Sequence, residues 1–222
     1  MVHVFSEVSK PIIVPDWVSD LESFRKWIDS DHVPEKAPIS YLGGEVWLDV
    51  SREQVFSHVL VKTQYTITVG GLAAREQKGL YLGDGVRLTN LEVGFSVKPD
   101  GLFVSNATLE SGLVRLIEGM EEGYLELEGT PDMVLEVVST SSVQKDTKVL
   151  RQAYAEAGIR EYWLVDARQD PLIFDILRLT SRGYVGTRKV QGWVKSAVFG
   201  KSFRLVRRTT SLGHPDYTLE MR

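Results

Sequence analysis

Apolar positions change rhythm several times along this chain, and each change marks an element. Trp17, Leu21, Phe24 and Ile28 stand at i, i+4, i+7 and i+11. That spacing predicts one helical face beginning just after Asp16 and ending before Pro34. Residues 39–42 and 45–50 flank Gly43-Gly44 and predict a β-hairpin. Ser51 and Gln54 then match a capping box, and Val55, Val59, Leu60, Thr63 and Ile67 predict a helical stripe that Gly70-Gly71 would stop. Short segments broken by Gly83-Asp84-Gly85 and Pro99 predict strands at about 79–82, 86–90 and 101–105. Residues 113–117 and 124–128 read as a further hairpin, with a short helix at 109–118 as the alternative.

The best-defined unit is 131–166: an apolar strand, a serine-rich corner at Ser139-Thr140-Ser141-Ser142, a helix with a Leu150, Ala153, Tyr154 and Ala157 stripe, Gly158 as its cap, and a strand ending at Asp166. Such a crossover makes the two strands parallel neighbours. Strand-like segments follow at 172–179, 184–188, around Trp193, 203–206 and 217–220. Neither repeats nor low-complexity tracts interrupt the pattern.

One residue breaks the strand pattern. Glu136 sits inside the apolar run Met133-Val134-Leu135-Glu136-Val137-Val138. A buried carboxylate without a partner costs several kcal/mol or loses its charge, so it is normally paired, hydrogen-bonded or bound to a metal. Pro131-Asp132 opens the same segment and a second Pro-Asp pair stands at Pro99-Asp100. Acidic groups on neighbouring strands suit a hard cation that activates water against a phosphodiester.

Composition narrows the classes. The 222 residues are 43% hydrophobic, enough for a sizeable core, and are expected to form a single domain over 1–222 with a core of about 40–180 and a basic, β-rich part at 168–222. Cysteine is absent, which excludes disulfides, thiolate zinc sites and cysteine nucleophiles. No signal segment or membrane span is evident, so a soluble, cytoplasmic protein is expected. Net charge is −4, yet residues 168–208 carry ten Lys/Arg against Asp170 and Asp175, a net of +8, which leaves −12 elsewhere. A basic module beside an acidic one reads either as a phosphate-backbone surface or as a solvated strand face.

The motif 131–139 together with Ser141-Ser142, Asp146, Tyr154, Gly158 and Glu161-Tyr162-Trp163-Leu164-Val165-Asp166 resembles the Uma-type (DUF820-like) restriction endonuclease family of the PD-(D/E)XK nuclease superfamily. The resemblance extends more weakly to Gly44-Glu45, His58 and Pro99-Asp100. It implies an α/β (α+β) fold with a mixed central sheet flanked by helices, and a metal-dependent endonuclease hydrolysing DNA. It further implies Mg²⁺ (or Mn²⁺) held by Asp100 and Glu136, with Glu45 as an auxiliary acid and a lysine assisting. DNA is then the partner, and two-fold pairing into a homodimer would let two sites address two strands.

The lysine is where this chain departs from the pattern. The third position of the E-X-K motif is Val138, and the helix position four residues after Asp146 is Leu150. Lys98 and Lys148 are the candidate replacements. Lys145 and Lys148 fall opposite the Leu150-Tyr154 stripe of a regular helix, at roughly 100° per residue, whereas Lys98 shares a strand face with Asp100 unless Pro99 breaks the register. His58, beside its helix stripe, reads first as a structural histidine, and Asp132 as a turn cap or a residue at the rim of the site. The serines lack a Gly-X-Ser-X-Gly elbow and read as caps, and Trp163 reads as core. The missing lysine supports an alternative reading, a catalytically inactive nucleic-acid-binding or scaffold protein on the same fold.

Overall fold

A computed structural model describes residues 12–31, 33–34, 37–49, 53–119 and 123–222. The first helix, α1, is Leu21–Ile28. Asp20 caps it: its carboxylate accepts from Ser23 N–H at 2.8 Å, and Asp20 N–H donates to the Ser23 hydroxyl at 3.0 Å. This reciprocal cap fixes the start of the helix. The helix therefore begins later than the apolar spacing suggested, leaving Trp17 exposed and burying Phe24 and Trp27 against the first hairpin.

That hairpin, β1 (Ile39–Leu42) and β2 (Glu45–Leu48), turns through Gly43 and Gly44, both at positive φ. The next helix, α2, runs from 55 to 75 and is not uniform: Val55–Leu60 and Thr66–Gly70 are π-helical, Val61–Tyr65 and Gly71–Arg75 α-helical. The expected cap at Ser51 lies outside the described residues, and Gln54 makes no side-chain cap. Gly70-Gly71 does not stop the helix. A Cβ on Gly70 would sit 3.2 Å from the Tyr81 ring, so this glycine serves close packing instead. The expected stripe is also displaced: Val61, Tyr65, Val69 and Leu72 are buried, while Val55, Val59 and Ile67 are exposed.

Five strands and a short helix follow: β3 (Gly79–Gly83), β4 (Arg87–Asn90), β5 (Phe95–Val97), β6 (Gly101–Ser105), α3 (Asn106–Glu110) and β7 (Val114–Glu118). Then come β8 (Tyr124–Gly129) and β9 (Met133–Val137); the segment expected at 113–117 is strand over 114–118, and the helical alternative over that stretch falls away. The helix α4 spans 145–156, π-helical over Lys145–Val149 and α-helical over Leu150–Glu156. Gly158, at φ 77°, ends it. The remaining strands are β10 (Glu161–Asp166), β11 (Ile173–Thr180), β12 (Gly183–Gly186), β13 (Lys189–Val190), β14 (Trp193–Lys195), β15 (Ser202–Thr209) and β16 (Pro215–Met221).

Three sheets result, ordered β2-β1-β5-β4-β8-β7, β12-β11-β10-β9-β6-β3 and β13-β14-β15-β16. As the crossover requires, β9 and β10 are parallel; β6 joins β9 antiparallel, so the central sheet is mixed. Its two faces see different neighbours because strand side chains alternate. Met133, Leu135, Val137, Trp163 and Val165 pack toward α2 and the third sheet, while Val134 and Tyr162 pack toward α4 and the first sheet. Among the described residues no helix is long and apolar enough to cross a membrane.

Candidate active site

Alternation along β9 sends Glu136 to the face that carries Val134, where it is only 4% exposed. Tyr154, one turn into the α-helical part of α4, donates its hydroxyl to Glu136 Oε1 at 2.7 Å. The buried carboxylate thus has one neutral donor.

Asp100 immediately precedes β6. The β6–β9 ladder ends at the pair Gly101↔Leu135, and the Asp100 carboxylate takes the next β9 donor, accepting from Val137 N–H at 2.7 Å. Gly101 makes room for Tyr81, since a Cβ there would stand 2.6 Å from the Tyr81 hydroxyl. Two neighbouring strand positions therefore aim acidic groups at one place.

The corner after β9 supplies a third acid. Ser139 N–H donates to the Ser142 hydroxyl at 2.8 Å and Ser142 N–H to the Ser139 hydroxyl at 3.1 Å, the capping role expected for this cluster. Ser142 also holds Asp146 Oδ2, and the Tyr162 hydroxyl donates to the Asp146 carbonyl at 2.8 Å. The other oxygen, Asp146 Oδ1, is buried without a hydrogen-bond partner. Such an orphan is rare and calls for a missing ligand.

Asp100, Glu136 and Asp146 line one cavity of about 610 Å³, together with His58, Lys98 and Lys145. Its electrostatics are those of crowded buried acids. Burial raises Glu136 well above the usual carboxylate range, and Asp146 and Asp100 push it further. Asp100 is raised by burial against the opposing pull of His58 and Lys62, and burial lifts Asp146 to about 7. Lys145 stands 3.9 Å from Asp146 Oδ1 and 3.9 Å from Asp49; against the effect of burial, Glu136 and these acids raise its pKa and keep the ammonium charged.

Two side chains of α2 brace Asp100. His58 Nε2 lies 3.6 Å from Asp100 Oδ2, and Lys62 Nζ lies 3.5 Å from Oδ1 while pairing with Glu53 and Asp84 at 2.7 Å each. Despite its burial, Lys62 stays charged, its pKa raised by Asp100, Asp84 and Glu53. Sequence reasoning missed Lys62. Its signal was the i, i+4 spacing from His58 along the edge of the Val61, Tyr65 and Val69 face, hidden because the stripe was drawn two residues out of phase.

The expected residues separate into those brought together and those not. Asp100, Glu136 and Lys98 reach the cavity, Lys98 within 3.5 Å of the Ala37 carbonyl. Glu45 does not: it is exposed beside the hairpin turn, paired with Leu42 across β1–β2. Lys148 is exposed and absent from the cavity lining, and Lys145 takes that place. The physical reason is the π-helical start of α4, whose wider turn advances less per residue than the α-helical 100° assumed from sequence. Asp132 is a brace, accepting from Ser105 N–H at 2.5 Å and from the Thr108 hydroxyl at 2.9 Å, with Arg160 paired to it. Trp163 is fully buried core.

Among the described residues no group of three His, Cys, Asp or Glu side chains stands arranged to hold a metal ion. The donor chemistry nonetheless fits a hard cation: all-oxygen ligands, mutual repulsion that an ion would relieve, and an orphaned carboxylate oxygen.

Comparison with known proteins identifies the family and the fold. A model of the Uma2 family, described as "Putative restriction endonuclease", matches residues 21–198. The crystal structure of "a putative nuclease belonging to DUF820" from Anabaena variabilis ATCC 29413 superposes with a TM-score of 0.60 at 16% identity, covering 82% of this chain and 90% of that one. At that identity the likeness speaks for the fold. No curated protein matches.

Proposed function

The chain belongs to the Uma2 family, whose description supports nuclease chemistry, and from that premise we propose a metal-dependent endonuclease that hydrolyses DNA phosphodiester bonds at the cavity between β6, β9 and α4. The observation carrying this reading is that Asp100 and Glu136, far apart in sequence, share one cavity with Asp146 and Lys145.

Asp100 and Glu136 are the residues to hold a divalent cation, Mg²⁺ or Mn²⁺, with the orphaned Asp146 Oδ1 facing the same charge deficit. When bound, such an ion supplies Lewis-acid polarisation of the phosphate and a water of lowered pKa. The protein's own groups do the rest. Tyr154 fixes one Glu136 oxygen, and the Val137 N–H fixes one oxygen of Asp100. Lys145, kept charged by Glu136, offsets the negative charge that grows on the phosphate oxygens during displacement. Lys62, already engaged by three carboxylates, holds Asp100 in place rather than meeting substrate.

Supercoiled plasmid offers the test. The protein should nick it in Mg²⁺ or Mn²⁺ and not in chelator; absence of nicking with either metal would sink the proposal. The competing reading, a silent nucleic-acid-binding relative, rests on Val138 and Leu150 at the two usual lysine positions. Metal-independent DNA binding with no nicking would favour it.

A further inference from the structure

The proposed catalytic cavity is a poor place to hold DNA. Asp49, Glu53, Asp84, Asp100, Glu136 and Asp146 outnumber Lys98 and Lys145 along its lining, so with its acids ionised the cavity gives a polyanion no net attraction. Affinity has to come from a neighbouring surface, and the basic stretch 168–208 provides one.

Its position relative to the cavity is defined by shared residues. A smaller cavity of about 240 Å³ shares His58 and Ser139 with the catalytic one and is lined as well by Arg168. One residue beyond, the Gln169 carbonyl accepts from Arg207 Nη1 at 3.5 Å, on β15. Arg207 and Arg208 line a third groove of about 520 Å³ with Lys189 and Arg204. The β15–β16 turn is also anchored beside the catalytic cavity, since His214 stacks on Phe56 of α2 at 5.3 Å and 17°. Phe56 is the second residue before His58.

The acids of the groove do not saturate its cations. Glu220 binds Arg204 at 2.6 Å and leaves Arg208 at 3.7 Å; Lys189 is taken by Asp175 at 2.7 Å; Asp170 is the other acid of the lining. Arg207 meets a carbonyl, and both Arg207 and Arg208 are exposed on a strand that lies beyond residue 198, where the family match ends.

We propose that the outer end of the β13–β16 sheet is the duplex-DNA docking surface, with Arg207 and Arg208 gripping backbone phosphates, while Arg168, held by Asp166 at 2.7 Å, lines the cavity adjoining the catalytic one. This inference rests on the nuclease reading for its partner. Guanidinium groups suit the task because each presents a planar fork of donors matching phosphate oxygens.

The test is fluorescence-anisotropy titration of a labelled DNA duplex with the full chain in chelator across a salt series, beside plasmid nicking of the same proteins in Mg²⁺. The double variant R207A/R208A should bind roughly tenfold more weakly and show a log–log salt slope shallower by about 1.8, near 0.9 per phosphate released. R207K/R208K should retain most of that slope, and K26A/R75A, which removes equal charge from α1 and the end of α2, should bind like wild type. Unchanged binding by R207A/R208A, or equal weakening in K26A/R75A, overturns the surface even where wild type nicks plasmid. Tighter binding of an RNA duplex than of DNA overturns it too. Loss of nicking by wild type with the R207A/R208A binding defect intact would instead remove the nuclease reading and leave the surface standing.

Discussion

On the proposed nuclease reading a lysine moved off β9 needs another scaffold, and a single π-helical turn brings Lys145 to the cavity. Lys145 enters the cavity where Lys148 was expected, and its ammonium is kept charged chiefly by Glu136. Lys145→Ala should therefore reduce the plasmid-nicking rate by roughly 10²-fold or more, the scale of losing one preorganised charge stabiliser, with Lys98→Ala costing less. Equal losses would place the role elsewhere. The acids carry a second consequence, for stability. Folding raises the Asp146 carboxyl to about 7 from the usual 3.8, so below pH 7 the folded state binds a proton that the unfolded chain has released. Unfolding free energy then falls as pH rises through that window. Metal-free protein should melt roughly 3 °C lower at pH 8 than at pH 6, for about 1.4 kcal/mol lost. A melting temperature in chelator that rises over that interval would contradict the burial of these acids. Asp100 and Glu136 were legible in sequence because a carboxylate in an apolar strand and a Pro-Asp at a strand edge break local rules. Lys62, His58 and Lys145 were not, because their roles depend on helical phase.

At the scale of elements, the β9–α4–β10 crossover was readable throughout: apolar strand, serine cap, stripe, glycine stop. Gly158 ends α4 at φ 77°, in the left-handed region. Gly158→Ala should cost about 1–2 kcal/mol in chemical denaturation, without moving the cavity residues. A neutral substitution would mean the loop relaxes into another cap. The first two helices were less readable for different reasons. In α1 the Asp20–Ser23 cap overrode the apolar period that began at Trp17. In α2 the π-helical segments shifted the buried face, and Gly70 kept the helix going by letting Tyr81 approach. The hairpin carrying Glu45 was correctly placed in sequence, but its glutamate points to solvent because the turn lies at an exposed tip. Turn chemistry predicts a hairpin and says nothing of what the turn faces.

Across the whole molecule, acidic and basic halves divide the labour that a nuclease must perform. Net −12 lies outside 168–208 and includes the carboxylates of the cavity, while +8 lies within it, and Lys189, Arg204, Arg207 and Arg208 of that stretch line the groove of the third sheet. Concentrating acids suits cation capture and opposes DNA, and the neighbouring basic sheet offsets that repulsion. The parallel pair was anticipated from the crossover and the mixed central sheet from the family resemblance; its sandwiching between two further sheets was not, since nothing local in the strands of those sheets says which face each will cover. The account turns on Asp100 and Glu136 acting as one metal-dependent site. The most direct measurement is the Mg²⁺-dependent nicking rate of supercoiled plasmid for wild type, Asp100→Asn and Glu136→Gln at equal folded concentration. Wild type should nick, and each variant should lose at least roughly 10²-fold; nicking by either variant at the wild-type rate would contradict the assignment.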